Sequence, residues 1–229
     1  ISNISHDLKT PITAIKGYVE GIMDGVADTP EKMERYIKTI YTKANDMNRL
    51  INELTYYSGI DSNRIPYNFH RINVAEFFQD CVEDVGLDLE SKDIELNYSN
   101  LVDPDTRIIA DPEQLKKVIN NIIGNSIKYI DKPKGIINIR ILDEVDSIRV
   151  EIDDNGKGIA AKDLGSIFER FYRTDASRNS AMGGSGIGLS IVKKIIEDHG
   201  GYIWATSKEG EGTCLHFVIR KYREAEENE

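Results

Sequence analysis

Apolar residues recur every three or four positions from the first residue onward. Ile1, Ile4, Leu8, Ile12, Ile15, Val19 and Ile22 form one stripe, the spacing of an amphipathic helix. Gly25 to Asp28 reads as a loop. Asp28, Pro30 and Glu31 then supply a capping side chain, a first-turn proline and a first-turn acid. From Glu31 to Ser58 there is no Gly or Pro, and Met33, Ile37, Ile40, Ala44, Met47, Ile51 and Leu54 make a second stripe. At about 1.5 Å per residue that segment spans roughly 42 Å. Two long helices with a short loop make a hairpin, which cannot bury both stripes alone. Either two copies pair as a four-helix bundle, or the hairpin packs on a second domain of its own chain.

Gly59 to Tyr67 carries turn residues and Pro66 and reads as a linker. Beyond it the periods mix. Strands are predicted at 71–74, 94–98, 107–110, 135–142, 147–153, 202–206 and 213–220. Helices are predicted at 75–90, from Asp111-Pro112 to about Ile130, and at 187–199, the last ending at Gly200-Gly201. Strands and helices alternate irregularly, which favours an α/β sandwich with a mixed sheet. The tail from Arg223 is acidic. No internal repeat is visible. Glycine distribution agrees with two domains, since 11 of the 18 lie between Gly156 and Gly212.

The 39 acidic residues exceed the 29 basic ones, giving a net charge of -10. That argues against a nucleic-acid partner and against a basic membrane-surface protein, but not against phosphates held by local donors. Residues 1–64 hold eight Lys/Arg and nine Asp/Glu, so nearly all the excess charge lies in the remainder. Cys81 and Cys214 match no metal or redox spacing, which disfavours a disulfide framework and a zinc site and points to a reducing, cytoplasmic setting. No run reaches the ~18 apolar residues of a spanning helix, so no membrane contact is expected from this stretch. The chain opens within a helical pattern without an initiator Met and reads as a piece of a longer protein.

Four segments carry candidate chemistry. In Ser5-His6-Asp7-Leu8-Lys9-Thr10-Pro11, His6 can face solvent beside a carboxylate that orients the ring and accepts a proton. Pro11 removes the N–H that would bond to the Asp7 carbonyl and is expected to bend the helix. Taken alone, an exposed histidine is more often an ordinary surface residue. Asn121, Asn125 and Lys128 lie at i, i+4 and i+7 on one helix face, followed by Tyr129. Two amides and an ammonium can touch Mg²⁺ and phosphate oxygens, although a polar helix face is the plainer reading. Asp153-Asp154-Asn155-Gly156-Lys157-Gly158 follows a strand, where glycines permit close approach to a ligand. Gly156, Gly158 and Ala161 also fit the dinucleotide fingerprint, but that motif belongs early in a parallel βαβ unit and this one sits late, after adjacent β runs. Gly183-Gly184-Ser185-Gly186-Ile187-Gly188 leads into a helix whose N–H groups suit phosphate, without the Lys-Ser/Thr of a Walker loop. Between these loops, Ile167 to Arg173 is aromatic and basic. Thr174 to Met182 is small and polar, as a mobile lid would be. Gly210 to Thr213 reads as a hairpin turn.

Taken in order, these segments resemble the His box, N box, first glycine box, phenylalanine box, and second and third glycine boxes of the sensor histidine kinases of bacterial two-component systems. The resemblance covers nearly the whole chain. It implies an α+β protein with a dimerisation and histidine-phosphotransfer hairpin over 1–64, forming a dimeric four-helix bundle. A Bergerat-type ATP-binding domain, a two-layer sandwich with a mixed sheet, would follow over 65–229. It implies His6 as phospho-acceptor, Asp7 as its general base, and Thr10 as the residue used in dephosphorylating a partner regulator. Asn125 matches the Mg²⁺ ligand, with Asn121, Lys128 and Tyr129 near the nucleotide. Asp154 matches the carboxylate that reads the adenine amino group, and Gly156 and Gly158 shape that pocket. Arg173, and more weakly Arg178, match a lid-side phosphate contact. Gly184, Gly186 and Gly188 match the phosphate-side loop. Lys9 stands where Arg is commoner and Ser126 where Ala is commoner; neither removes a reacting group.

The implied activity is autophosphorylation of His6 from ATP with Mg²⁺, then transfer to an aspartate in the receiver domain of a response regulator. Related ATPases of this fold place a Glu four residues before the metal-binding Asn to activate water; here that position is Asn121, which cannot act as a base. The alternatives are a protein that is mainly a regulator phosphatase and a non-catalytic ATP-binding dimer scaffold. In full length the family is expected to be anchored at the cell membrane. Stimulus, regulator and the choice between cis and trans phosphorylation, set by the handedness of the loop near Val26, are not legible in the chain. Because both stripes need cover, light scattering at micromolar concentration should give twice the 25.9 kDa chain mass; a monomer would contradict the bundle.

Overall fold

The computed structural model describes residues 2–61, 66–174 and 186–223, with residues 2–7, 57, 60 and 61 described by backbone alone. Two helices come first, α1 (Ser2–Met23) and α2 (Pro30–Asp61). The α1 helix runs through Pro11. Its end is closed by the N–H groups of Val26 and Ala27 on the Gly21 carbonyl, with Gly25 at φ 74°. The hairpin closes on an edge-to-face contact of Tyr18 with Tyr36, centroids 5.0 Å apart, made possible by Gly21, where a Cβ would meet the Tyr36 ring at 2.8 Å.

Two local expectations are corrected. The α2 cap is Thr29, whose Oγ1 accepts the Lys32 N–H at 3.2 Å, while Asp28 pairs with the Lys32 ammonium at 2.6 Å. The helix also continues through Gly59 to Asp61, into the expected linker. Continuing one helical turn keeps its backbone hydrogen bonds, which outweighs the ~1 kcal/mol helix penalty of a single glycine.

The remainder is one layer of helices on one mixed sheet. Elements follow in order: β1 (His70–Asn73), α3 (Val74–Ser91), β2 (Ile94–Asn100), β3 (Arg107–Ala110), α4 (Pro112–Tyr129), β4 (Gly135–Asp143), β5 (Ser147–Asp154), a short α5 (Ala161–Leu164) absent from the sequence reading, α6 (Gly188–Asp198), β6 (Tyr202–Lys208) and β7 (Gly212–Arg220). The five-stranded sheet runs β2-β4-β5-β7-β6, parallel only between β2 and β4. β1 and β3 form a separate antiparallel pair. Period-2 alternation turns Ile148, Val150 and Ile152 of β5, and Leu215, Phe217 and Ile219 of β7, into the core. There they meet Leu115, Ile119 and Ile122 of α4 and Ile191 and Ile195 of α6. Arg149, Glu151, Asp153 and His216 take the open face.

The hairpin helices are covered less well. Ile12 is 49% exposed, Val19 39%, Ile37 55% and Ile51 43%. These are stripe residues, so the single chain leaves apolar surface of the hairpin in water. Near its C-terminal end, α2 does meet the second domain. The Tyr56 hydroxyl donates to Gln114 Oε1, and the Lys117 ammonium lies 3.3 Å from the Tyr56 ring centroid. Burial and the Asp111 carboxylate push the Tyr56 hydroxyl up to about 12.

Residues 67–69 are tied down around a buried histidine. Asp111 caps α4 by accepting from Gln114 N–H and also accepts the Asn68 N–H at 2.8 Å. Tyr67 donates to Asp198 at 2.8 Å. His199 Nδ1 lies 2.7 Å from the Ile195 carbonyl and Nε2 lies 3.0 Å from the Asp111 N–H, so Nδ1 donates and Nε2 accepts. That pattern needs a neutral ring. Burial holds the His199 pKa below its ordinary value of 6.5, against weaker opposing contributions from the Ile195 carbonyl, Asp111 and Asp198. As pH falls, the unfolded chain therefore takes up this proton first, and stability declines below about pH 6.5. The urea midpoint should fall between about pH 7.5 and about pH 5.5, and fall less steeply in His199→Gln. Equal slopes in the two proteins would sink this assignment.

Candidate functional site

A cavity of about 300 Å³ opens where α4, the end of β5, the loop after it and the start of α6 converge. Asn121, Asn125, Lys128 and Tyr129 of α4 line it, as the helical spacing predicts. Opposite them stand Asp154, Gly158, Arg173, Gly186 and Gly188.

Asp154 extends the row Ile148, Val150, Ile152 on the helix-facing side of β5, so a carboxylate sits where the alternation has been placing apolar side chains. Burial raises its pKa, the first cause, and hydrogen bonds oppose the shift. Ser126 Oγ donates to Oδ2 at 2.8 Å and the Gly156 N–H donates to Oδ1 at 2.9 Å. Each carboxylate oxygen has two lone pairs, so an acceptor remains for an amino group entering the cavity. Ser126, buried on α4, thus helps fix the orientation of this carboxylate.

The loop glycines are demanded by close backbone contacts. Gly158 has φ 71°, and a Cβ there would collide with the Lys208 carbonyl of the β6–β7 hairpin. The same hairpin is fixed by the Gly210 N–H donating to the Lys157 carbonyl at 2.7 Å. Gly186 has φ 67°, and a Cβ would lie 2.8 Å from the Tyr172 carbonyl. Its own carbonyl accepts the Phe171 N–H at 2.9 Å, and this joins the aromatic segment to the α6 entry. At Gly156 a Cβ would meet the Tyr129 carbonyl, and at Gly188 the Asn121 side chain. The dinucleotide-fingerprint glycines therefore follow an antiparallel β4–β5 hairpin, outside any βαβ unit.

Cations collect on the wall despite the acidic chain. Lys128 and Lys157 lie 4.9 and 4.7 Å from the Tyr129 ring centroid, and Arg173 faces the same space. Sequence reasoning did not single out Lys157, Tyr172, Thr213 or Leu215 as wall residues, nor Arg49 and Glu53, which α2 contributes. Arg49, Glu53 and Tyr56 follow at i, i+4 and i+7, a polar face that could have signalled a docking surface.

Thr10 lies exposed on α1. His6 and Asp7 belong to the α1 backbone, their side chains outside the described residues. Arg178, Gly184 and the expected lid beyond Thr174 also lie outside the described residues. Among the described residues no helix is long and apolar enough to cross a membrane.

Two family models match this arrangement. The His Kinase A phospho-acceptor domain matches residues 1–63, and the histidine kinase-, DNA gyrase B- and HSP90-like ATPase matches residues 110–223. The chain belongs to the histidine kinases. It is 32% identical over 232 residues to the sensor histidine kinase WalK of Bacillus subtilis (strain 168), covering 100% of this chain and 37% of that one. It is 30% identical over 221 residues to the sensor protein kinase WalK of Staphylococcus aureus, covering 96% and 52%. The chain therefore spans about half or less of these curated relatives. Among solved structures, histidine kinase ThkA in complex with response regulator protein TrrA aligns at TM-score 0.76 and 26% identity, over 96% of this chain and 60% of that one. Acinetobacter baumannii histidine kinase AdeS shares the fold at TM-score 0.73 and 21% identity, over 94% and 97%.

Two glycine substitutions in this histidine kinase should differ in sign. Gly158→Ala forces a side chain into a left-handed conformation against a backbone carbonyl and should lower unfolding free energy by about 2 kcal/mol or more. Gly86→Ala, in α3 with nothing within 4 Å of the added Cβ, should raise it by up to about 1 kcal/mol. Urea melts of both variants check this; a harmless Gly158→Ala would mean that the loop does not hold this backbone conformation.

Proposed function

We propose that the chain is the catalytic core of a sensor histidine kinase. Residues 1–64 form the dimerising phosphotransfer hairpin and residues 65–229 bind ATP. The carrying observation is one cavity that joins a half-buried carboxylate, Asp154, to the amides and ammonium of α4 and to Arg173 and the Gly186–Gly188 helix entry. An adenine amino group suits Asp154, whose oxygens are already oriented by Ser126 and Gly156. Phosphates suit Lys128, Arg173 and the backbone N–H groups beside Gly186 and Gly188. Gly184 and Arg178 complete this set by the family motif.

Asn125 would hold Mg²⁺, with Asn121 beside it; an amide oxygen is a ligand this hard cation accepts. The ion, when bound, offsets the negative charge on the transferring phosphoryl group. Asn121 is an amide whose Nδ2 donates to the Lys117 carbonyl at 2.9 Å, so it cannot take a proton from water. This supports transfer to a side-chain nucleophile over hydrolysis. His6 is that nucleophile: a ring nitrogen forms the N–P bond, the bond from the γ-phosphorus to the ADP oxygen breaks, and Asp7 orients the ring and takes its proton. The phosphoryl group then passes to an aspartate oxygen of a response regulator, and the N–P bond breaks. The homodimer buries the stripe residues that the single hairpin leaves exposed. The rest of the longer protein supplies the sensor and its membrane anchor.

Regulator dephosphorylation is a second activity on the same helix. Thr10 follows His6 by four residues, one turn away on nearly the same face, where its hydroxyl can hold a water in line with a phospho-aspartate. With γ-labelled ATP and Mg²⁺, wild type should acquire acid-labile, base-stable label, and His6→Gln and Asn125→Asp should acquire none. Thr10→Ala should label within a few-fold of wild type yet lose most regulator dephosphorylation. Label that persists in His6→Gln would overturn the phospho-acceptor assignment; unchanged dephosphorylation in Thr10→Ala would remove Thr10 from that role.

A further inference from the structure

The open face of the sheet carries a second cluster of chemistry, on the far side of β5 and β7 from the nucleotide cavity. Cross-strand register places Glu151 opposite His216, and Cys214 lies two residues along β7 on the same face. His216 Nδ1 is 3.3 Å from Glu151 Oε1 and 3.9 Å from Cys214 Sγ. Among the described residues, this is the one group of three or more His, Cys, Asp or Glu side chains whose ligating atoms converge within 4.8 Å.

The surroundings hold each donor in place. Thr206 Oγ1 lies 2.8 Å from His216 Nε2. When Nε2 carries the ring proton and donates it to Thr206, the Nδ1 lone pair points toward Glu151 and Cys214. The His216 ring also stacks on Trp204, centroids 4.9 Å apart and planes 7° apart. Arg140 Nε holds Glu151 Oε2 at 3.0 Å, so the other carboxylate oxygen is left facing the histidine. The side chains of Glu151 and His216 are each only 12% exposed. Such a partner on the nitrogen or oxygen that does not face the ion is the usual support of a metal ligand.

A sulfur, an imidazole nitrogen and a carboxylate oxygen are the donors of zinc-class ions, whereas Mg²⁺ and Ca²⁺ take oxygens. Donors on one tetrahedral ion lie about 3.3–3.6 Å apart. The nitrogen–oxygen separation already matches, and rotation of the Cys214 and Glu151 side chains closes the rest. Arg149 Nε, 3.4 Å from Glu151 Oε1, would give up that contact to the ion, while Arg140 keeps the other oxygen.

We propose that Glu151, Cys214 and His216 bind one divalent transition-metal ion of the zinc class on the open sheet face, cross-linking β5 to β7. The site is independent of the nucleotide reading. The linear spacing around Cys214 disfavours a zinc site; cross-strand pairing supplies the ligands that linear spacing cannot show.

The test uses chelator-treated protein without nucleotide, titrated with Co²⁺ and then Zn²⁺. One Co²⁺ per chain should bind at micromolar concentration with a thiolate-to-cobalt charge-transfer band, and Zn²⁺ should abolish the band. Fluorescence of Trp204, the chain's one tryptophan, should be quenched by Co²⁺ in step with that band. Cys214→Ser and His216→Gln should lose the band and the quenching, Cys81→Ser should keep both, and Zn²⁺ should raise the melting temperature of wild type and Cys81→Ser but not of the two site variants. Binding retained in His216→Gln, a cobalt spectrum without a thiolate band, or no binding would each overturn the proposal. The last two outcomes are read on wild type, so they stand even if the Cys214 variant fails to fold.

Discussion

The antiparallel register between β5 and β7 sets both faces of the sheet on which residues 70–220 are built. Ile148, Val150 and Ile152 pair across from Ile219, Phe217 and Leu215, and all six side chains enter the core. Because side chains alternate with period two, a slip of one residue would turn that row to water and Glu151 and His216 into the core. The buried row makes such a slip prohibitive, since each exposed large aliphatic forfeits about 1.5–3 kcal/mol. The same register delivers Asp154 to the helix-facing side beside Thr213 and leaves Cys214 and His216 outside.

Asp154 shows what that placement costs and why it is retained. A carboxylate at the end of an apolar row is desolvated, and burial raises its pKa. Ser126 and the Gly156 N–H offset part of that cost and orient the two oxygens. The cavity thus contains a polar group held in one orientation. Glycines at 158 and 186 let the neighbouring backbones close around it, and the cationic side chains of Lys128, Lys157 and Arg173 surround the rest.

The helical hairpin obeys a different constraint. Its stripes were patterned for burial, yet Ile12, Val19, Ile37 and Ile51 stay in water in the single chain. Among the described residues, the second half of α2 meets the sheet-bearing part of the chain, where Tyr56 meets Gln114 and Lys117, and where Arg49 and Glu53 reach the cavity wall. The α2 helix therefore contributes both to the hairpin and to one wall of the cavity.

Periodicity and punctuation determined the elements: the 3.6 repeat marked α1 and α2, Asp111-Pro112 marked the start of α4, and alternation marked β4, β5 and β7 within a residue or two. The helical faces were legible for the same reason, so Asn121, Asn125 and Lys128 could be grouped before any coordinates. Local competition between caps was not legible: Thr29 and Asp28 can both cap, and the backbone path chose Thr29. Nor was the end of α2, because a glycine is tolerated in a helix when its neighbours are helical. Only the tertiary structure brought Arg49 to the cavity wall, set Ser126 beside Asp154 and joined Glu151 to Cys214 and His216. Those contacts link residues 28 to more than 100 positions apart, and at such separations linear spacing carries no geometry; strand register and helix packing do.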